Sequence, residues 1–307
     1  MSIYKLLLYL YPRVWRARYE EEMLMILVSR QFSLFEGIDV IRGVLDAHLH
    51  PYLGTTDLSL TEKVRLMLSS LRCSLLTIFC AYVGFILAGL GFQKLAEAAD
   101  LQEIAQRYGI VGFSFHLVLV GAIVALLAVL VGGLPIVAAV IKSAFAQKRW
   151  SSLVLLVVPI LAFIVFLTIT SFPEVIAHLN TQSLWQHILH RGFFFGTLIA
   201  AAIVSTGSVC TAVARSEISE QLLRFAVLPS ILTTGAMALI AISTIIWGLG
   251  LRGSAPQVFS GYEGIVRTST IGTWLGIVIA MAFATALATL FLIRSISVYS
   301  ALRNATA

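Results

Sequence analysis

Apolar residues follow two rules along this chain, and the change from one to the other falls near residue 72. Before it they recur every three or four positions among charged residues; after it they fill whole stretches. The junction, Ser59 to Arg72, reads SLTEKVRLMLSSLR. Ser59 and Glu62 have capping-box spacing, and Leu60, Val64, Met67, Leu68 and Leu71 share one helical face. Lys63, Arg65 and Arg72 fall on or beside the other face, which predicts an interfacial helix over 59–72. Cys73 to Phe92 then gives twenty residues without a charge. At about 1.5 Å per residue that crosses a hydrocarbon core of about 30 Å. Five more apolar stretches, roughly 110–141, 151–172, 192–213, 225–249 and 269–293, are each long enough to cross. The second is longer than needed, so Gly132, Gly133 and Pro135 are expected to bend or break it. Pro159 and Pro229 are expected to kink the third and fifth.

The first 58 residues carry a different pattern. Pro12 suits a first helical turn. Arg16 and Glu20, and Arg18 and Glu22, stand at i,i+4 beside a stripe of Trp15, Tyr19, Met23 and Ile26. Ser33 and Glu36 form a second capping box, opening a helix whose stripe is Leu34, Ile38, Ile41, Leu45 and Leu49 and which Pro51 ends. Helices this short bury little alone, so they are expected to pack on each other and on a further surface. The fold expected is an all-α integral membrane protein, a six-transmembrane-helix bundle. Residues 1–58 form its short helical cytoplasmic N-terminal region, and residues 59–307 its membrane domain.

Composition agrees with that division. Charged residues make up 12% of the 307, half the usual share of about 25%, and the mean hydropathy is +0.95. The net charge of +6 is a matter of placement rather than of nucleic-acid affinity. With six spans, sixteen Lys and Arg fall on the side of the termini and five on the other. The positive-inside rule then puts both termini in the cytoplasm. The outer loops, 93–109, 173–191 and 250–268, are longer than the inner turns, 142–150 and 214–224. Trp150, Trp247 and Trp274 fall where aromatic belts sit.

Candidate chemistry is sparse. No span interior holds Asp, Glu, Lys or Arg, the groups that ion-coupled transporters place near the midplane. His116, near the outer end of the second span, is expected to be a buried, hydrogen-bonded histidine. The metal candidates are His178, His187 and His190 on the second outer loop, the last two one helical turn apart; no cysteine accompanies them. Cys73, Cys80 and Cys210 have neither disulfide-framework nor metal spacing and are expected to act as small buried hydrophobes. Helix packing is assigned to stripes of small residues, Gly192 and Gly196 in the fourth span and Gly272, Gly276 and Ala280 in the sixth. Those stripes favour packing within the bundle over a homo-oligomer interface. There is no phosphate loop, no His-Glu-x-x-His and no Gly-x-Ser-x-Gly, so no enzyme and no cofactor is expected.

One stretch carries a resemblance. Leu10 to Met23, LYPRVWRARYEEEM, is similar to an LYPRxWRxRYxEEM-type prefix of many uncharacterised bacterial multi-pass membrane proteins. Arg42 to Pro51, RGVLDAHLHP, resembles a second block of the same proteins. Similar prefixes also precede some ABC-type permeases, although this chain lacks a large extracytoplasmic domain between spans. The resemblance implies a bacterial inner-membrane protein with a cytoplasmic docking segment. The expected role is therefore non-enzymatic anchoring, regulation or sensing in the lipid bilayer. A protein partner would dock through Trp15, Arg16, Tyr19, Glu20 and Met23. The alternative is a transport permease subunit working with a separate ATPase, which would meet the inner turn Lys142 to Trp150.

Overall fold

The structure is a computed structural model. It describes residues 8–9, 11, 13–28, 39–40, 43–44, 59–96, 107–148, 150–177, 184–216, 218–261 and 269–306. Every extended element among them is a helix: α1 (Arg13–Val28), α2 (Leu60–Ala96), α3 (Gly109–Ala146), α4 (Trp150–Ala177), α5 (Leu184–Arg215), α6 (Glu220–Ser254), α7 (Pro256–Phe259) and α8 (Thr270–Thr306). Six of these, α2 to α6 and α8, are long and apolar enough to cross a membrane. The protein is an all-α, multi-pass membrane protein with six candidate spans.

The helices outrun the spans expected of them. The interfacial helix and the first span are one uninterrupted α2 of 37 residues, about 55 Å at the usual rise. No Pro or Gly separates Ser59 from Cys73, so nothing interrupts the backbone ladder there. The capping box is made at its start. Ser59 N–H donates to Glu62 Oε2 at 3.1 Å, and Glu62 N–H reaches back to Ser59 Oγ at 3.4 Å. Helix α3 likewise continues through Gly132, Gly133 and Pro135 without breaking. It ends where Lys148 takes a left-handed conformation (φ 52°) and its N–H donates to Phe145 O, turning the chain toward α4.

The chain folds as two compact units, residues 76–289 and residues 1–75 with 290–307. In the larger unit the most extensive contact is the antiparallel pair α3 and α6. It is documented at three levels. An added Cβ on Gly250 would lie 3.2 Å from Ile110, one on Gly121 would lie 2.7 Å from Ile240, and one on Gly132 would lie 2.8 Å from the Pro229 ring. The buried line on α3 is Gly121, Ala125, Ala128 and Gly132, and on α6 it includes Thr233, Met237, Ile240, Thr244, Trp247 and Leu251. Steps of three and four residues keep such a line facing one neighbour, as in coiled coils. Ser114, Thr233 and Thr244 sit inside, each hydroxyl donating to the carbonyl four residues earlier, so these three polar hydrogens are satisfied within their own helices.

The second pair is α4 with α5, joined in part by Phe166 and Phe194, whose rings meet edge to face at 5.4 Å. It touches α3 only slightly by comparison. One apolar cluster supplies an attachment, with Val140, Ala212 and Val213 at its centre and Leu76, Leu155, Leu156 and Val209 around them. An aromatic group lies elsewhere in the unit. Phe92 packs edge-on against Trp247 at 5.0 Å, and Trp274 packs against Phe259 at 5.6 Å. Trp247 is therefore a core residue, 1% exposed, not a belt residue at the lipid surface. Trp274 lies over Gly248, and its indole N–H donates to Thr244 O at 2.9 Å.

Candidate functional site

The smaller unit holds the N-terminal helix α1, where the docking residues were expected. Leu8, Tyr11, Val40 and Val44 form a buried cluster, and Met23 and Leu24 of α1 pack against it. The Tyr11 hydroxyl donates to Val40 O at 3.3 Å, tying the beginning of the chain to a segment 29 residues on. The expectation that the short helices pack on one another holds for these residues. Val40 and Val44, an i,i+4 pair next to the expected stripe, are buried there. Leu34, Ile38, Ile41, Leu45 and Leu49, and the capping box at Ser33 and Glu36, lie outside the described residues.

The five docking candidates separate in this setting. Met23 belongs to the internal cluster. Arg16 lies with its guanidinium carbon 5.0 Å from the Tyr9 ring centroid, a cation–π contact, and its Nε is enclosed without a hydrogen-bond partner among the described residues. Tyr19 and Glu20 are half-buried, while Trp15 lies on the helix with its side chain outside the described residues. Among the described side chains of α1, Glu21, Glu22 and Met25 are exposed, the methionine at 71%. Periodicity alone favours the apolar stripe as the binding face. Met23 of that stripe packs within the prefix, and the α1 side chains described as exposed are two glutamates and one methionine.

The same unit contains a polar contact that the sequence reading missed. Arg294 of α8 donates to Ser70 Oγ of α2 from Nε at 3.1 Å and from Nη2 at 3.0 Å. Its guanidinium carbon also stands 5.8 Å from the Phe291 ring centroid. Ser74, one turn beyond Ser70, is fully buried with its hydroxyl unbonded among the described residues. A guanidinium bonded to a neutral hydroxyl keeps its charge, and the contact fixes one helix end against the other. Arg294 counted only as a tail charge because sequence spacing cannot show a partner 224 residues away.

The remaining candidates fall as follows. His187 and His190 lie in the first turns of α5 with side chains outside the described residues, and His178 lies outside them altogether. His116 is hydrogen-bonded, Nδ1 to Gly112 O at 2.7 Å, but its ring faces outward and is not buried. Gly192, Gly196, Gly272, Gly276 and Ala280 are all exposed. A Cβ added to Gly192, Gly196 or Gly276 would meet nothing within 4 Å, and at Gly272 only Ser269 of its own first turn. The close approaches occur at Gly121, Gly132 and Gly248. Every-fourth spacing precesses around a 3.6-residue helix, so a stripe starting at Gly272 turns inward only by Ala284 and Ala288, which are buried. Cys80 is exposed and Cys210 half-exposed, against the expectation of buried hydrophobes. Set beside protein-family models, curated proteins and solved structures, the chain matches none of them.

Proposed function

We propose that this chain is a bacterial inner-membrane protein with both termini in the cytoplasm, and that it anchors or regulates a protein partner docked on α1. The role is non-enzymatic. The observation that carries the reading is the division of labour on that helix. Met23 and Leu24 pack on the prefix's own cluster, leaving Glu21, Glu22 and Met25 exposed among the described side chains, two carboxylates beside one apolar contact. An exposed methionine among carboxylates suits a partner that offers a basic surface with an apolar pocket. The excess of Lys and Arg on the side of the termini supports the orientation.

The test is recovery of partners from native membranes in mild detergent. Three forms of the full chain would be compared: unaltered, lacking residues 1–58, and carrying Met25→Lys. The partner recovered with the unaltered chain is expected to be lost from both variants. Its retention by the shortened chain would remove the docking role. An ATPase that stays bound to the shortened chain, together with loss on charge reversal at Lys142 and Lys148, would favour the permease reading instead.

A further inference from the structure

The larger unit brings together two cysteines that stand 130 residues apart in the sequence: Cys80 of α2 and Cys210 of α5 lie with their sulfurs 3.5 Å from each other. That is van der Waals contact between two thiols, and a disulfide needs the sulfurs only about 1.5 Å closer, at about 2.05 Å. The surrounding contacts hold them in register. Leu76, one turn before Cys80, packs on the same cluster as Val209 and Ala212, which flank Cys210. Their depths also agree. Cys80 lies eight residues past Arg72 on α2, and Cys210 lies five before Arg215 on α5, or about 12 and 8 Å along the helices from those basic residues. Neither thiol is enclosed: Cys80 is exposed and Cys210 half-exposed, each within a helix long and apolar enough to cross a membrane.

We propose that Cys80 and Cys210 form a redox-active dithiol that a lipid-soluble quinone closes to a disulfide. Two S–H bonds break and one S–S bond forms. The two protons and two electrons released reduce the quinone to its quinol. The site takes its oxidant from the bilayer because its open side faces acyl chains rather than water. Closure ties the sparsely attached α4 and α5 pair to α2 at the place where the apolar cluster already touches it. The inference stands on this geometry and does not depend on the docking role of α1.

The experiment uses the full chain in lipid nanodiscs, treated with a fully ring-substituted quinone carrying a short alkyl tail. Free thiols are then blocked with N-ethylmaleimide, disulfides are reduced, and the released thiols are tagged with a polyethylene-glycol maleimide. The unaltered chain is expected to gain two tags within one molecule, and Cys73→Ser to gain the same two. Cys80→Ser and Cys210→Ser, each replacing sulfur by a similar small group, are expected to gain none. A sulfonated quinone confined to water is expected to leave all forms untagged. Absence of tags on the unaltered chain, tags persisting on either single variant, or a cross-linked peptide containing Cys73 would overturn the assignment. Equal oxidation by the sulfonated quinone would overturn the bilayer as source of the oxidant.

Discussion

Helices α3 and α6 hide their small residues against each other, whereas α4 and α5 turn their large ones outward. In the most apolar stretch of α6, 44% of the residues are buried within the chain, and in that of α3 28%; for α4 and α5 the figure is 6% each. Mean hydropathy does not explain the order. Over those stretches α4 reaches 2.7, above the 2.0 of α6. In water the greasier helix would be the more buried, but in lipid no hydrophobic effect separates a helix from its solvent. What remains is close packing, which requires backbones to approach. Helix α3 offers Gly121, Ala125, Ala128 and Gly132 along one line. Helix α4 has no glycine at all and fills its surface with Val, Leu, Ile and Phe.

The sharpest way to break that comparison is to spoil the approach of α3 to α6. Gly132→Leu drives a side chain into the Pro229 ring, whose Cβ and Cγ would stand 2.8 and 3.2 Å from the new Cβ. A proline ring cannot swing away, so the substitution is expected to cost about 2–3 kcal/mol. The neighbouring Gly133→Leu meets nothing within 4 Å. It should cost nothing and regain up to about 1 kcal/mol of helix propensity. The midpoints of unfolding of both variants in a mixed-micelle titration decide the matter. Equal losses from the two would show that small residues do not set the packing.

A smaller effect is expected where α4 meets α5. Phe166 is 9% exposed, the most enclosed of α4's large apolar side chains among the described residues, and its ring meets Phe194 edge to face. Phe166→Leu removes that aromatic pairing while keeping a large apolar side chain in its place, and is expected to cost about 1 kcal/mol in the same titration. A loss as large as that of Gly132→Leu would make the two pairs equivalent after all.

How much of this was legible in the sequence depends on the physics behind each feature. The six spans were legible because a run of about twenty uncharged residues has few other homes. The Ser59 and Glu62 cap was legible because it is local, three residues wide. Contacts between helices were not. The exposed Gly272, Gly276 and Ala280 stripe drew attention by its regular fourth-residue spacing. The line that packs alternates steps of four and three, Gly121 to Ala125 to Ala128 to Gly132, and that alternation was the available signal. Trp247 looked interfacial by position, yet Phe92 encloses it from another helix. In the prefix, Met23 was legible as apolar and helical but not as claimed by Tyr11, Val40 and Val44. Cys80 and Cys210 have no spacing that links them, because only the helix arrangement makes them neighbours.

The smallest expected effect tests the outward face of α4 directly. Phe163 is 59% exposed, with Ile160 at 60% and Ile164 at 52% beside it. If lipid alone covers this face, Phe163→Ala exchanges one apolar surface for a smaller one, and acyl chains fill the space at once. No cavity persists, and the change in stability should stay within about 0.5 kcal/mol. A buried phenylalanine would behave otherwise, losing about 3 kcal/mol or more when cut to alanine, because a rigid protein neighbour cannot follow the retreating side chain. The two outcomes differ by more than the error of a titration. A loss above about 1 kcal/mol at Phe163 therefore cannot come from contact with fluid lipid. It would place a protein surface over α4, supplied either by a second copy of the chain or by a different subunit. Dilution into excess lipid then separates these cases from a lipid-facing helix: a loss that fades as the chains are diluted apart marks a homo-oligomer, and one that persists marks a tightly held partner.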